Sequence, residues 1–164
     1  MRISLLPVAA AALLLAACES DPATTTTTTP TATATAPTAT TGIKAGSLED
    51  FRVNVGDRVF FGYDKIDLSA DARRTLERQA AWLKQYGSVR VVIEGHADER
   101  GTREYNLALG ERRANAQKDY LVALGIPAAR LSTVSYGKER PAVLGSNEAA
   151  WSQNRRGVSV PQVQ

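Results

Sequence analysis

Charged and amide side chains between residues 94 and 114 have the types and spacing best suited to chemistry. On a helix, Asn106, Leu109 and Arg113 lie at positions i, i+3 and i+7 and share one stripe. The planar guanidinium of Arg113 is suited to binding a carboxylate through two parallel hydrogen bonds, which lysine does poorly. Asp98, in the polar stretch before this helix, is a candidate partner for an ammonium group. Together these residues suit a ligand that carries both charges.

Each of these residues also has a purely structural interpretation. Asp98 and Arg100 are equally typical of a solvated turn, and adjacent arginines such as Arg112 and Arg113 usually cover a solvated helix face. His96 follows a predicted strand and could be a metal ligand or a base. With no second histidine in the sequence, we expect His96 to shape the loop instead.

The composition excludes several classes of protein. The 164 residues suffice for one ordinary domain. The net charge of +3, from 20 Lys and Arg against 17 Asp and Glu, comes without a basic stripe, so we expect no nucleic-acid partner. One Cys and one His cannot form a disulfide framework or a structural zinc site, and a Ser-His-Asp enzyme would depend on His96 alone. We expect no cofactor, no metal and no catalytic residue.

Hydrophobic patterning predicts the elements that position these side chains. The sequence predicts strands over residues 57–61, 89–94, 131–136 and 157–160, the last closed by Pro161. It predicts helices from the Ser69 cap to about residue 86 and over residues 103–124, with a helical turn over 148–153. The second strand has little alternation and should be buried and central. The order indicates an α/β fold (an α+β two-layer sandwich), β-α-β-α-β, with helices on one face of a mixed sheet.

The second helix has two candidate faces. Its core face is predicted to consist of Gly110, Ala114, Leu121 and Leu124. The stripe that contains Arg113 is about a quarter turn away, so we expect it to be free to line a groove.

The amino-terminal residues have the pattern of an export signal. Arg2 precedes an apolar run that is too short to span a bilayer comfortably. The run ends in Leu15-Ala16-Ala17-Cys18, which resembles the bacterial lipobox and implies residues 1–17 as a lipoprotein signal peptide. That resemblance implies cleavage before Cys18 and attachment of acyl chains such as palmitate, which anchor the chain to a membrane. Glu19 in place of Asp favours the outer membrane. An ordinary signal peptide with an incidental cysteine is the alternative.

A long tether is predicted after the anchor. Residues 24–41 are almost entirely Thr, Ala and Pro, without hydrophobic periodicity or charge, so nothing favours a packed core. We therefore divide the chain into the signal peptide, residues 18–47 as lipidated cysteine and disordered tether, and residues 48–164 as the folded domain. The tether is interpreted as a spacer between membrane and target, and an inert tail is the alternative.

Three segments of the predicted domain resemble one known family. They are residues 94–114 (EGHADERGTREYNLALGERRA), residues 135–141 (SYGKERP) and residues 154–156 (NRR). In this order and over roughly residues 58–160 they closely resemble the OmpA-like domain. The lipobox and the tether are similar to the lipoprotein members of that family, and unlike its porin and flagellar-stator members.

The resemblance implies a noncatalytic domain in the periplasm. It implies noncovalent binding of peptidoglycan at the diaminopimelate residue of the stem peptide, and participation in the Tol envelope system for cell division. A TolB-like periplasmic protein is the implied partner on much the same face. The alternatives are a protein scaffold for that partner with incidental wall binding and, from another class, a wall hydrolase that uses Asp64 and Asp98 as acid and base.

The resemblance also assigns the binding residues. Asp98 and Arg113 match the family's ligand-binding pair, and Asp64 matches an aspartate that contacts the ligand. In addition, Arg100 and Thr102 are expected at the rim with Asn106 on the groove stripe, and Leu109 against the methylene stem of diaminopimelate. One departure is Arg103, which stands where the lipoprotein members usually have proline at the start of the helix.

Overall fold

The computed structural model describes residues 42–162. The predicted signal peptide, Cys18 and most of the predicted tether lie outside these residues. From β1 onward, strands and helices follow one another in the predicted order. The elements are α1 (Leu48–Asp50, continued by a π-helical turn over Phe51–Gly56), β1 (Arg58–Phe60), α2 (Ala70–Gln85), β2 (Arg90–His96), α3 (Arg103–Ala123), β3 (Leu131–Gly137, preceded by a 3-10 turn over Ala128–Arg130), α4 (Glu148–Asn154) and β4 (Arg156–Gln162).

The four strands form one mixed sheet in the order β1-β4-β2-β3. β2 is parallel to β3, with Val91 opposite Leu131, and antiparallel to β4, with Glu94 opposite Val158. Since β2 is paired on both edges, the prediction of a buried central strand is confirmed. The predicted fold class, helices packed with a mixed sheet, is also confirmed.

Helix α2 begins and packs as its sequence predicts. The hydroxyl oxygen of Ser69 accepts a hydrogen bond from the backbone N–H of Ala72 at 3.1 Å, which satisfies one of the free donors of the first turn. Ala72, Leu76 and Leu83 are buried in the hydrophobic core. The helix packs against β1, α3 and the π-helical turn.

Helix α3 lies unusually close to the sheet because two glycines face each other. A Cβ atom at Gly95 in β2 would lie 1.8 Å from the carbonyl oxygen of Gly110 in α3. A Cβ atom at Gly110 would lie 2.4 Å from the hydroxyl oxygen of Ser135 in β3. Only glycine permits this backbone approach. The contact fixes the height of α3 above the end of β2, where the candidate binding residues are.

The structure adds one element that the sequence did not predict. Residues 48–56 are helical, and Phe51 buries its ring against Trp82, with centroids 4.9 Å apart. Ser47, the last residue of the range predicted as tether, caps this segment by accepting a hydrogen bond from the N–H of Asp50 at 3.1 Å. Nine residues are too few for a clear helical period, so the contact with Trp82 decides the conformation.

The last strand is longer than predicted. β4 continues through Pro161, which pairs opposite Val91, to Gln162. The expectation that Pro161 closes the strand is wrong. β1 pairs only with residues 156–158 of β4, so Pro161 lies where β4 has a neighbour on one side only. A residue without an N–H is tolerated at such a one-sided position.

Candidate functional site

An open pocket lies where the loop after β1, the loop after β2 and the first turns of α3 meet. It encloses about 160 Å³. Six of the seven residues predicted to bind ligand line it, which leaves Thr102 outside. The lining residues are Tyr63, Asp64, Asp98, Arg100, Gly101, Tyr105, Asn106, Leu109 and Arg113.

Thr102 has a structural role instead of the predicted place at the rim. It is the N-cap of α3, and its hydroxyl oxygen accepts a hydrogen bond from the N–H of Tyr105 at 3.2 Å. Thr102 therefore lies at the helix terminus and outside the residues that line the pocket.

Arg113 reaches the pocket from a buried position. Its side chain is fully buried, and the guanidinium donates hydrogen bonds to three backbone carbonyls, those of Lys65 at 2.9 Å, His96 at 2.9 Å and Gly62 at 3.0 Å. The stripe of Asn106, Leu109 and Arg113 lines the pocket as expected, although its side chains are buried, as is Ala114 of the core face. An arginine has five N–H donors, so two remain for a ligand. Burial lowers the pKa of Arg113 to about 10, which leaves the group charged at neutral pH.

Asp98 is the centre of a charged cluster behind the loop. Its carboxylate accepts hydrogen bonds from the side chain of Arg100, at 2.5 and 3.2 Å, and from Arg155 at 3.4 Å. Burial opposes ionisation, but the hydrogen bonds from Arg100 outweigh it and hold the pKa of Asp98 below its usual range. Arg155 in turn donates to Glu148 and to the carbonyl of Phe61.

Asp98 and Arg113 therefore line one pocket while belonging to different hydrogen-bond networks. Asp98 is held by arginine side chains, and Arg113 by backbone carbonyls. The Asp98 carboxylate still acts on Arg113 through space, where it raises the pKa of the guanidinium against the effect of burial.

Asp64 contributes the most exposed carboxylate of the pocket. It has a φ of 54°, in the left-handed region that few residues other than glycine adopt. Its carboxylate accepts a hydrogen bond from the phenol of Tyr105, and this bond raises the pKa of the phenol. A strained backbone next to a pocket is typical of a functional position.

Asn106 and Leu109 form the part of α3 between the two charged groups. Asn106 is buried, and its amide donates to the carbonyl of Arg100 at 2.8 Å, so it fixes the loop that carries Asp98. Leu109 is buried and supplies an apolar surface to the pocket.

Sequence reasoning missed two tyrosines and the residues of α4 that support the loop. Tyr63 and Tyr105 line the pocket. The guanidinium carbon of Arg100 lies 4.1 Å from the ring centre of Tyr63 and 4.0 Å from that of Trp151, within the range of cation–π attraction. The indole N–H of Trp151 donates to Glu99 at 3.0 Å. Only the Asn-Arg-Arg segment that follows Trp151 gave a hint of this role.

Two features are absent from the described residues. Residues 42–162 contain no cluster of three or more His, Cys, Asp and Glu side chains that could hold a metal ion. No helix in that part of the chain has the length and apolar character needed to cross a bilayer.

Known proteins similar to this chain share the same region. The profile of the OmpA family matches residues 60–155. A peptidoglycan-associated lipoprotein of Agrobacterium fabrum is 57% identical over 115 residues, which are 70% of this chain and 65% of the relative. One of Mesorhizobium japonicum is 59% identical over 114 residues, which are 70% of this chain and 68% of the relative. The chain thus spans about two thirds of the length of these relatives.

Two solved structures share the fold. The crystal structure of the peptidoglycan-associated lipoprotein from Burkholderia pseudomallei has a TM-score of 0.63 at 42% identity, and the match covers 65% of this chain and 90% of that one. The carboxy-terminal domain of Helicobacter pylori MotB, at 20% identity and a TM-score of 0.61, covers 66% of this chain and 85% of its own and shares the fold. Since the family profile spans more than half of the chain, including all residues that line the pocket, this chain belongs to the OmpA family.

Proposed function

We propose that this protein is an outer-membrane lipoprotein that binds peptidoglycan noncovalently at the diaminopimelate residue of the stem peptide. The observation that carries the proposal is the charge pattern of the pocket. Two carboxylates, Asp64 and Asp98, and two guanidinium groups, Arg100 and Arg113, line one small cavity. The free end of diaminopimelate carries one ammonium and one carboxylate at the same carbon, and it complements this pattern.

The size of the pocket supports the same ligand. About 160 Å³ is less than the roughly 300–1,000 Å³ of sites that enclose a drug-sized molecule, so the pocket admits the end of one amino acid. Leu109 offers an apolar surface for the methylene stem. The two free N–H groups of Arg113 are assigned to the ligand carboxylate, and the aspartates to the ammonium.

The expected affinity for one stem peptide is moderate. A few charge-assisted hydrogen bonds at about 1.5–3 kcal/mol each, less the cost of immobilising the ligand, give a Kd in the micromolar range. The wall presents many stem peptides close to a membrane-anchored domain. Effective concentration therefore makes the attachment durable while each contact stays reversible.

The wider role rests on the relatives and on the sequence of the amino-terminal segment. We assign residues 1–17 to a lipoprotein signal peptide, Cys18 to lipid attachment in the outer membrane, residues 18–47 to the tether and residues 48–164 to the wall-binding domain. The chain then links outer membrane and cell wall within the Tol–Pal envelope and cell-division system, with a TolB-like partner. The similarity to peptidoglycan-associated lipoproteins supports the wall and lipid parts of this assignment.

Titration calorimetry tests the proposed binding. The full chain in detergent is titrated with a stem tetrapeptide whose diaminopimelate keeps the free ammonium and carboxylate of its side-chain end. We expect saturable heat with a micromolar Kd. A tetrapeptide with lysine in place of diaminopimelate lacks the side-chain carboxylate and serves as the matched control. Absence of heat with the diaminopimelate peptide would refute the proposal.

A protein scaffold is the second candidate function. Val143 and Leu144 are exposed, at 44% and 86%, on the segment between β3 and α4, and they line a groove together with Glu99 of the pocket loop. An apolar surface beside the pocket suits a protein partner of the TolB type. Binding of purified TolB that survives saturation with the tetrapeptide would favour this function.

We propose no catalytic activity. A hydrolase needs a carboxylic acid whose pKa is raised so that it can donate a proton near neutral pH. Although burial acts in that direction, hydrogen bonds from Arg100 hold the pKa of Asp98 below its usual range. Incubation with purified sacculi is expected to release no fragments.

A further inference from the structure

Asp98 has no acceptor position to spare for a ligand. A carboxylate accepts about four hydrogen bonds. One oxygen of Asp98 accepts from the backbone N–H of Arg100 at 3.1 Å and from its Nε at 3.2 Å. The other accepts from Nη2 of Arg100 at 2.5 Å and from Nη1 of Arg155 at 3.4 Å. A ligand ammonium therefore reaches Asp98 only if one of these donors leaves.

Arg100 is the donor that can leave. Its side chain is 30% exposed and lines the pocket, whereas the side chain of Arg155 is 7% exposed. Arg155 is also held by Glu148 and by the carbonyl of Phe61. All side-chain hydrogen bonds of Arg100 in the described residues go to Asp98.

The aromatic neighbours of Arg100 would keep it at the pocket after it leaves Asp98. Its guanidinium lies near the ring centres of Tyr63 and Trp151, at 4.1 and 4.0 Å. Cation–π attraction depends on the guanidinium facing the rings and not on which edge it turns to a carboxylate. The group can therefore turn its N–H edge from Asp98 to a second anion without losing the rings.

We propose that ligand binding is an ion-pair exchange, in which the ammonium of a zwitterionic end replaces Arg100 at Asp98 while the freed Arg100 binds the carboxylate of the same end. This inference rests on the proposed function and adds Arg100 as the residue that determines specificity. One internal ion pair is replaced by two pairs with the ligand, and the charge of the pocket stays balanced. A ligand with only one of the two charges cannot replace the internal pair fully, so that pair stays closed.

The exchange predicts that removing both charges of the ligand weakens binding by less than the product of the two single effects. Four tetrapeptides provide the test: unmodified, acetylated at the side-chain amine of diaminopimelate, amidated at its side-chain carboxyl, and blocked at both. For the full chain, either single block should weaken binding about ten- to a hundredfold. The second block should weaken binding by a smaller factor than the first, because the internal pair stays closed once either charge is missing and only the contact with Asp64 or Arg113 is left to lose.

We call this dependence of one block's effect on the other the coupling of the two charges. Variants of Arg100 should remove it. In Arg100→Ala, Asp98 is open to the ammonium without any exchange, so the effects of the two blocks should multiply. Arg100→Gln keeps the side-chain length without the charge and should behave in the same way, which covers the case that Arg100→Ala does not fold. Arg74→Ala is the matched control, because it removes an exposed arginine on α2, and it should keep the coupling.

The possible results separate the exchange from the proposed function. If the unmodified tetrapeptide does not bind the full chain, the proposed function fails and the exchange fails with it. If it binds and the two blocks multiply, or if Arg100→Ala and Arg100→Gln both keep the coupling, the exchange is refuted while wall binding stands.

Discussion

The two walls of the pocket hold their arginines in opposite ways. The helix wall consists of Asn106, Leu109 and Arg113 of α3, and its guanidinium is buried and bonded to backbone carbonyls. The loop wall consists of Asp98 and Arg100, and its guanidinium is partly exposed and bonded to a side chain. Backbone acceptors cannot move without moving the fold, but a side-chain partner can be exchanged. One small site thus combines a fixed charge with a displaceable one.

The largest expected effect tests whether Arg113 of the helix wall stabilises the fold. Arg113→Ala should lower the free energy of unfolding by about 3–5 kcal/mol, because three backbone carbonyls, one of them buried, lose their donor and a large buried side chain leaves a cavity. Urea denaturation measures this change. Arg112→Ala, at the exposed neighbouring position, is the control and should change it by less than about 0.5 kcal/mol. Equal losses in the two variants would remove the contrast between the walls.

The free energy of unfolding should fall in acid because of His96. The backbone carbonyl of this residue accepts a hydrogen bond from Arg113 of the helix wall. Burial, then the positive charges of Arg156 and Arg140, lower the pKa of the His96 side chain to about 4. An unfolded histidine titrates near 6.5, so the unfolded chain takes up a proton first as the pH falls. Stability from this residue is present above about pH 6.5 and is lost progressively down to about pH 4, by at most about 3 kcal/mol.

Urea denaturation of the wild type and of His96→Gln at pH 7 and at pH 4.5 measures this contribution. Carboxylates titrate in both chains and contribute equally to the loss of unfolding free energy between pH 7 and pH 4.5. The difference between the losses of the two chains therefore gives the contribution of His96. We expect the smaller loss in His96→Gln. An identical pH dependence in both chains would show that His96 is protonated as readily in the folded state as in the unfolded one.

A smaller effect tests whether Thr102, where the loop wall meets the helix wall, stabilises the helix or binds the ligand. Thr102→Ala should lower the free energy of unfolding by about 1 kcal/mol, since it removes the N-cap of α3. The Kd for the tetrapeptide should stay within about twofold, because the hydroxyl does not line the pocket. Thr102→Ser keeps the capping oxygen and should restore stability. A tenfold loss of affinity in Thr102→Ala would return Thr102 to the binding residues.

The smallest effect concerns the first residue of α3. Arg103→Pro should raise the free energy of unfolding by about 0.5–1 kcal/mol, since proline restricts the unfolded chain and suits the first helical position. The lost ion pair with Glu139 is exposed on both sides and contributes little. Thermal denaturation checks the change, with Arg103→Ala as the control for the ion pair. A lower Tm for Arg103→Pro than for Arg103→Ala would contradict this prediction.

Local patterns were sufficient to predict most elements of the fold. The Ser69 cap, the apolar spacing of α2 and the β-branched central strand all reflect neighbours within a few residues, and the structure confirms them. The N-cap role of Thr102 had the same kind of local signal, a threonine directly before a helix. The loop that Thr102 shares with Asp98 outweighed that signal and led us to place Thr102 at the rim.

The bonding of the site could not be predicted because it depends on distant partners. Arg113 meets carbonyls of Lys65 and Gly62, which precede it by 48 and 51 residues, and a carbonyl carries no residue-specific signal in a sequence. Arg100 meets the ring of Trp151 across a similar separation. Helical spacing separated the pocket-lining stripe of α3 from its core face, but it could not show that the stripe is buried and which atoms it contacts.

The place of β4 in the sheet has a consequence for folding. β4 (Arg156–Gln162) lies between β1 and β2 and is the only strand paired with β1 among the described residues. Because Arg58 of β1 pairs opposite Val158, the sheet is completed only when two distant parts of the sequence meet. A chain truncated before Arg156 would leave β1 without a strand partner, and we expect its sheet to stay incomplete.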